Sequence, residues 1–386
     1  MKNMKKIMSV VLVASMSMAM LAGCGGSKSG NANTFKIGGI GPTTGGAAVY
    51  GTNVMNAAQI AVDEINANGG INGYQVEYNF QDDELDSEKS VNAYNTLKDW
   101  GMQILMGSVT SGCSIAVSSK TSEDNMFQIT PSGSSADCVA TDNAFQVCFT
   151  DPNQGIASAD YIADHNLASN IGIIYDSSDV YSSGIYTKFV EEAGVKGLNI
   201  VSSEAFTADN KTDFSVQLQK AQDAGADLVF LPFYYTEISL VLTQANTMGY
   251  APIFFGVDGM DGILDVENFD KSLAEGCYLL TPYSADATDD LTVNFVTKYK
   301  EKYNGETPNQ FAADAYDAIY IIKACIEDKK LTPADDISTI CNAMKEAITS
   351  LSYDGVTGDG MTWAATGEVS KAPKAVMIVD GAYQLQ

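Results

Sequence analysis

Arginine is absent from all 386 residues; the 22 basic side chains are lysines, set against 48 aspartates and glutamates, for a formal net charge of −26. A chain this acidic lacks the basic patches that phosphate contacts need, which excludes nucleic-acid binding. The same charge favours a soluble monomer. Histidine occurs once, as His165, inside a helical stretch away from any strand end. A single imidazole there supplies neither a zinc ligand set nor the base of a nucleophilic triad. No Gly-x-x-x-x-Gly-Lys-Ser/Thr run is present, so the sequence carries no phosphate-binding loop for ATP hydrolysis. The chain is expected to be no enzyme and to need no metal or cofactor.

Long apolar runs are equally scarce, with one exception at the start. Lys2, Lys5 and Lys6 precede an apolar run from Ile7 to Met20, closed by Leu21-Ala22-Gly23-Cys24. Charge, length and ending together predict a signal peptide over 1–23 rather than a spanning helix. The Leu-Ala-Gly-Cys ending resembles the bacterial lipobox. That resemblance implies cleavage before Cys24 and lipid on its thiol, which anchors a soluble domain to the outer face of the cell membrane. Removing the three lysines takes the net charge from −26 to −29. Residues 24–34 are rich in Gly, Ser and Asn and read as a flexible tether. Six further cysteines remain in a location that permits disulfides. Cys138 and Cys148 are the nearest pair and could bridge, while Cys325 lies on an apolar helix face as a buried thiol.

From Phe35 onward about 350 residues remain, too many for one small core, so two domains are expected. Short apolar strands alternate with amphipathic helices: Phe35–Ile40, then a helix through Val54, Ala57, Ala61 and Ile65, then strands at Val76–Phe80, Ile104–Met106 and Phe127–Ile129. Asn143–Phe149 is extended, and Asp151-Pro152 reads as a crossover. The alternation then restarts with a helix over Gly155–His165 and strands at Ile171–Tyr175, Ile200–Ser203, Leu228–Leu231, Ile253–Phe255 and Tyr278–Leu280. Helices follow, and a strand at Ala375–Val379 closes the chain. The pattern predicts an α/β fold: two three-layer α/β lobes with mostly parallel sheets, hinged by three crossovers. Lobe I takes 35–149 and 283–361, and lobe II takes 150–282 and 362–386.

Polar, glycine-containing loops follow the strands. Gly107–Ser114 leaves Ile104–Met106 and leads into a helix expected over Ser114–Lys120, a local recipe for holding an anion. Thr130–Ser135 follows the next strand. Loops at the carboxyl ends of adjacent strands gather at one edge of an open α/β sheet, where ligands bind. Pro232–Tyr235 and Gly256–Gly259 play the same part in the second lobe, joined by the loops Gly41–Tyr50 and Asp176–Tyr181. Hydroxyls dominate the first lobe's contribution; tyrosines and Asp258 dominate the second's. A zwitterion fits this division. Its carboxylate would take Ser111, Ser134 and backbone N–H groups, and its ammonium would take Asp258 and the Ser132 carbonyl. Each has a plainer alternative: a strand-to-helix turn for Ser111, sheet-edge packing for Tyr234, and a helix cap for Asp258. Trp363 reads as a packing residue at a crossing.

Ile37-Gly38-Gly39-Ile40-Gly41-Pro42-Thr43-Thr44-Gly45, the stretch Asp63-Glu64-Ile65-Asn66-Ala67-Asn68-Gly69-Gly70, Asp227-Leu228-Val229-Phe230 and Phe311-Ala312-Ala313-Asp314-Ala315-Tyr316-Asp317-Ala318 carry a resemblance. The mature chain resembles extracytoplasmic solute-binding proteins of the branched-chain amino-acid receptor family, with the type I periplasmic binding fold. The resemblance implies a ligand serine at Ser111 and a following loop of Ser132, Gly133 and Ser134. It implies an aromatic wall at Tyr50, second-lobe tyrosines at Tyr181 and Tyr234, and an acidic ammonium partner at Asp258. Thr110 stands where the family has a cysteine, so its small disulfide loop is absent in that form. Asp258 is shorter than the family's glutamate, and Tyr50 replaces the tryptophan of leucine-type receptors. The function implied is capture of a branched-chain or other apolar amino acid between lobes that close like a clamp, and delivery to ABC permease subunits. The alternatives are a ligand sensor for a membrane signalling protein, or a receptor for an amide, an aromatic acid or a short peptide.

Overall fold

The structure, a computed structural model, describes residues 33–386. The signal peptide, Cys24 and most of the tether lie outside the described residues. The first strand begins at Thr34, so the last residue assigned to the tether belongs to the sheet.

Five strands form the first sheet, all parallel: β1 (Thr34–Gly41), β2 (Gln75–Asp82), β3 (Ile104–Met106), β4 (Gln128–Thr130) and β5 (Ala144–Gln146), in the order β2-β1-β3-β4-β5. Strands β3 and β4 are buried at every residue, as expected of central strands covered on both faces. Helices α1 (Ala48–Ala67), α2 (Ser87–Trp100) and α3 (Ser111–Glu123) connect them. Helix α2 is delimited by its own chemistry. Asp86 accepts hydrogen bonds from the N–H groups of Glu88 and Lys89, and Gly101 ends the helix in the left-handed region.

The chain then crosses to a seven-stranded sheet. It passes through α4 (Asp151–Asp164), β6 (Ile171–Asp176), α5 (Val180–Lys196), β7 (Ile200–Phe206), α6 (Ser215–Asp223), β8 (Leu228–Leu231), α7 (Tyr235–Met248), β9 (Ile253–Gly256) and β10 (Tyr278–Thr281). It returns to the first lobe as α8 (Asp290–Lys302), α9 (Gln310–Asp328) and α10 (Ile337–Ile348), followed by the hairpin β11 (Ser352–Gly355) and β12 (Gly358–Thr362). A third crossing carries it back to β13 (Lys374–Val379) and β14 (Ala382–Leu385). Strand β13 adds antiparallel to β10 and β14 antiparallel to β13, giving the order β14-β13-β10-β9-β8-β6-β7. Two α/β lobes with mostly parallel sheets, joined by three crossovers, are therefore the fold.

The crossing segments are fastened to one another. Trp363 is buried and donates its indole N–H to the Gln146 carbonyl at 2.7 Å. The ammonium of Lys371, only 1 % exposed, lies 2.8 Å from Asp314 and 2.6 Å from the Thr357 hydroxyl. Asp317 accepts from the backbone N–H groups of Val356 and Thr357 at 2.9 Å each. Helix α9 thus holds the third crossover through buried, paired charge.

Three expectations are corrected. Helix α3 begins at Ser111, three residues before the expected start, so Ser111 occupies its first turn. Helix α4 begins at Asp151, four residues before the expected start at Gly155, so the crossing at Asp151-Pro152 is already its first turn; proline is tolerated where its missing N–H would have no intrahelical partner. Cys138 and Cys148 do not bridge: they, with Cys113, Cys277, Cys325 and Cys341, are free buried thiols.

Candidate functional site

The carboxyl ends of β3 and β4 in one lobe face those of β8 and β9 in the other. The polar loops meet there. A small cavity between the lobes is lined by Tyr50, Val109, Thr110, Ser111, Ser132, Tyr181, Tyr234, Asp258, Gly259 and Phe311. Six of the eight residues expected at the site border it. Gly133 and Ser134 lie directly behind this wall. The Gly133 N–H donates to Thr130 Oγ1 at 2.7 Å, and its carbonyl accepts from Gln146 at 2.8 Å. A Cβ at this position would come within 2.8 Å of Thr130 Oγ1 and 2.9 Å of Ser114 Oγ, so the loop cannot pack this closely with a larger residue.

The first-lobe wall is built on the start of α3. Ser111 Oγ accepts from the backbone N–H groups of Ser134 and Ser135, both at 3.2 Å, which ties the two loops together and leaves its own proton to donate. Ser132 donates to the Val109 carbonyl at 2.6 Å. Thr110 Oγ1 and Ser134 Oγ are buried without a hydrogen-bond partner. Buried hydroxyls are rarely left so, and two in one place point to a polar group that they would bind. Beneath them Asp83 accepts from Ser108 at 2.6 Å and Ser90 at 2.8 Å, fixing the loop after β3.

The second-lobe wall is aromatic and acidic. Tyr181 sits in the first turn of α5, not in the loop before it, and donates to Asp258 Oδ1 at 2.5 Å. Gln310 Nε2 reaches Asp258 Oδ2 at 3.3 Å, and the Asp258 N–H donates to Gln154 Oε1 at 3.2 Å. Asp258 lies in a short 3-10 turn without capping it through its side chain. Burial pushes its carboxyl up to about 6, against the pull of the Tyr181, Gln154 and Gln310 hydrogen bonds. Burial also raises Tyr50, Tyr181 and Tyr234 well above the usual phenol range, which keeps them neutral.

Aromatic contacts bridge the lobes. Tyr50 meets Phe311 at 4.1 Å between ring centroids, Tyr235 at 4.8 Å and Tyr234 at 5.6 Å, and Tyr234 stacks on Tyr181 at 5.1 Å. The Tyr50 hydroxyl donates across the cleft to the Gly259 carbonyl. In this closed arrangement the inner cavity has about 10 Å³ of water-sized space, roughly the room of one water. A wider chamber of about 260 Å³ continues beyond Thr110 and Tyr234, walled by Phe206, Phe233, Asp179 and the Lys211–Glu237 ion pair, 3.0 Å apart. Thr110, Ser111 and Asp258 border the smaller cavity.

Sequence reasoning missed Phe311, Gln154 and Gln310. Phe311 opens an apolar stripe that reads as core packing, and amides that position a carboxylate carry no local signal. His165 is exposed at the end of α4, stacked on Tyr161. Among the described residues no group of three or more His, Cys, Asp or Glu side chains is placed to hold a metal ion, and no helix is long and apolar enough to cross a membrane.

The comparisons agree with this geometry. Residues 34–382 match the family described as periplasmic binding protein. The chain is 28% identical over 365 residues to a Leu/Ile/Val-binding protein homolog of Brucella melitensis, covering 92% of this chain and 94% of that one. It is 28% identical over 355 residues to the leucine-, isoleucine-, valine-, threonine- and alanine-binding protein of Pseudomonas aeruginosa, covering 90% of each. Among solved structures it superposes on the branched-chain amino acid transporter substrate-binding protein LivJ of Streptococcus pneumoniae, in complex with isoleucine. That match has a TM-score of 0.82 and 27% identity, over 92% of this chain and 99% of that one. With its two hinged α/β lobes and a converged polar site between them, the chain belongs to the periplasmic binding protein family, a family of non-catalytic solute-binding proteins with the type I fold.

Proposed function

We propose that this protein captures an α-amino acid, branched-chain or otherwise apolar, between its lobes and delivers it to the permease subunits of an ABC importer. It would act outside the cytoplasm, as a monomer held to the membrane by lipid on Cys24. Lobe I would comprise 35–149 and 283–361, and lobe II 150–282 and 362–386. The observation that carries the reading is the division of polar groups around one small cavity. The hydroxyls of Ser111 and Thr110 stand on one side, with Ser134 behind them, and the Asp258 carboxylate on the other.

A bound carboxylate takes the hydroxyls of Ser111 and Ser134, with the start of α3 adding its unpaired N–H groups. The ammonium takes Asp258 and the Ser132 carbonyl, and Tyr50, Tyr234 and Phe311 pack against the side chain. Closing the lobes removes water from both charges, so a ligand lacking either leaves a buried group unpaired and is rejected. The closed cavity admits no amino acid without parting of the lobes, so binding and closure are one equilibrium. The relatives named above, described as binding leucine, isoleucine and valine, support the side-chain class.

A thermal-shift screen against the twenty amino acids tests the reading. A rise in the melting midpoint with leucine, isoleucine or valine is expected. A rise only with amides, aromatic acids or short peptides contradicts it.

A further inference from the structure

The start of α7 makes contacts that the site described above does not use. Tyr235 and Thr236 open this helix, and neither borders the small cavity or the wider chamber. Both nevertheless reach the opposite lobe.

The first backbone N–H groups of a helix have no intrahelical partner and need one from elsewhere. Helix α1 starts after Ala47 and α7 after Tyr234, and neither of these residues supplies a side-chain cap. The missing caps come from across the cleft. The Val49 N–H, in the first turn of α1, donates to the Tyr235 hydroxyl at 3.2 Å. The Tyr235 N–H donates in return to the Tyr50 hydroxyl at 3.4 Å. Beside them the Thr236 hydroxyl donates to the Gly46 carbonyl at 2.6 Å. Gly46 sits in the loop between β1 and α1. Asp82 holds that loop by accepting from the Thr43 N–H at 2.9 Å and the Thr44 hydroxyl at 2.6 Å. The target of Thr236 is therefore anchored in its own lobe. A second-lobe loop closes on the same spot: a Cβ at Gly262 would lie 3.1 Å from Val49 Cγ1.

These bonds form only when the lobes are together, and none of them needs a ligand. We propose that Tyr235 and Thr236 are affinity-determining positioning residues. They latch the closed lobes by bonding to the start of α1 and the loop before it, and so strengthen binding of every ligand without touching it. A closed form stabilised in this way is populated before the ligand arrives, and affinity scales with that population. A residue that contacts the ligand discriminates among ligands; a latch multiplies all affinities by one factor. The inference goes beyond the amino-acid reading, because it concerns closure rather than what is enclosed.

Calorimetry with L-leucine and L-isoleucine, and small-angle X-ray scattering without ligand, test it on Tyr235→Phe, Thr236→Val and the double variant. Tyr235→Phe keeps the ring against Tyr50, 4.8 Å between centroids, and removes only the hydroxyl. Each single variant is expected to bind both amino acids about threefold more weakly, and the double variant about tenfold, by the same factor for the two ligands. Without ligand, the double variant should have a larger radius of gyration than wild type. Thr236→Ser, which keeps the hydroxyl, should retain wild-type affinity and scattering. The two positions are read separately, so that one variant failing to fold leaves the other to decide. Unchanged affinity in the variants, a loss for only one of the two amino acids, or an unchanged radius of gyration overturns the inference and leaves the amino-acid reading intact. A wild type that binds neither amino acid overturns that reading instead, and the ligand-free scattering then decides the latch alone.

Discussion

Ser111 and Ser134 are both serines of the first-lobe loops, yet the structure gives them different duties. Ser111 Oγ holds two backbone N–H groups, whereas Ser134 Oγ holds nothing within the protein. Truncating Ser111 leaves two buried donors unsatisfied, at about 1–3 kcal/mol each, so Ser111→Ala should lower both affinity and stability. Ser134→Ala removes a hydroxyl with no internal partner. It should leave the urea midpoint of the ligand-free protein near wild type while weakening amino-acid binding about tenfold. Urea titration and calorimetry on the two variants separate these outcomes; equal destabilisation would show that Ser134 is structural. Ser111 and Asp258 were legible in the sequence, because a strand, a glycine-rich turn and a helix start are local signals. Gln154 and Gln310 were not: an amide that positions a carboxylate from a distant helix carries no local signal.

At the scale of elements, the buried ion pair between Lys371 and Asp314 joins the third crossover to α9. Removing one partner strands the other, at about 3–5 kcal/mol. Lys371→Met should therefore lower stability by about that amount in chemical denaturation, and a loss under about 1 kcal/mol would mean that the pair does not hold the crossing. The alternation of strands and helices was readable because central strands such as β3 and β8 are apolar throughout and bounded by turn residues. Helix starts were less so. Thr110, Thr150 and Tyr234 precede α3, α4 and α7 without a side-chain cap, and the expected start of each helix fell two to four residues late. The antiparallel β14 had no periodic signal in a short, mostly exposed strand.

At the scale of the whole molecule, the acid-rich interior makes stability depend on pH. Burial pushes Asp258 up to about 6, Asp261 to about 7 and Asp314 to about 6. The folded state thus binds protons more tightly than the unfolded chain, whose carboxyls titrate near 4. Between about pH 4 and 7 the folded form carries the extra protons, so stability falls as pH rises. The melting midpoint without ligand should decline across that window. A bound ammonium favours the charged carboxylate, so the rise in midpoint produced by the ligand should grow from pH 5 to 7. A midpoint that climbs from pH 4 to 7 without ligand would contradict these assignments.

The central claim is that both charges of an amino acid are held between the lobes. The most direct measurement is calorimetric titration of the wild type with the preferred amino acid and two analogues, one lacking the ammonium and one lacking the carboxylate. The account predicts that the zwitterion binds and that each deletion weakens binding at least about 100-fold. An analogue without the ammonium that binds as tightly as the amino acid would contradict it.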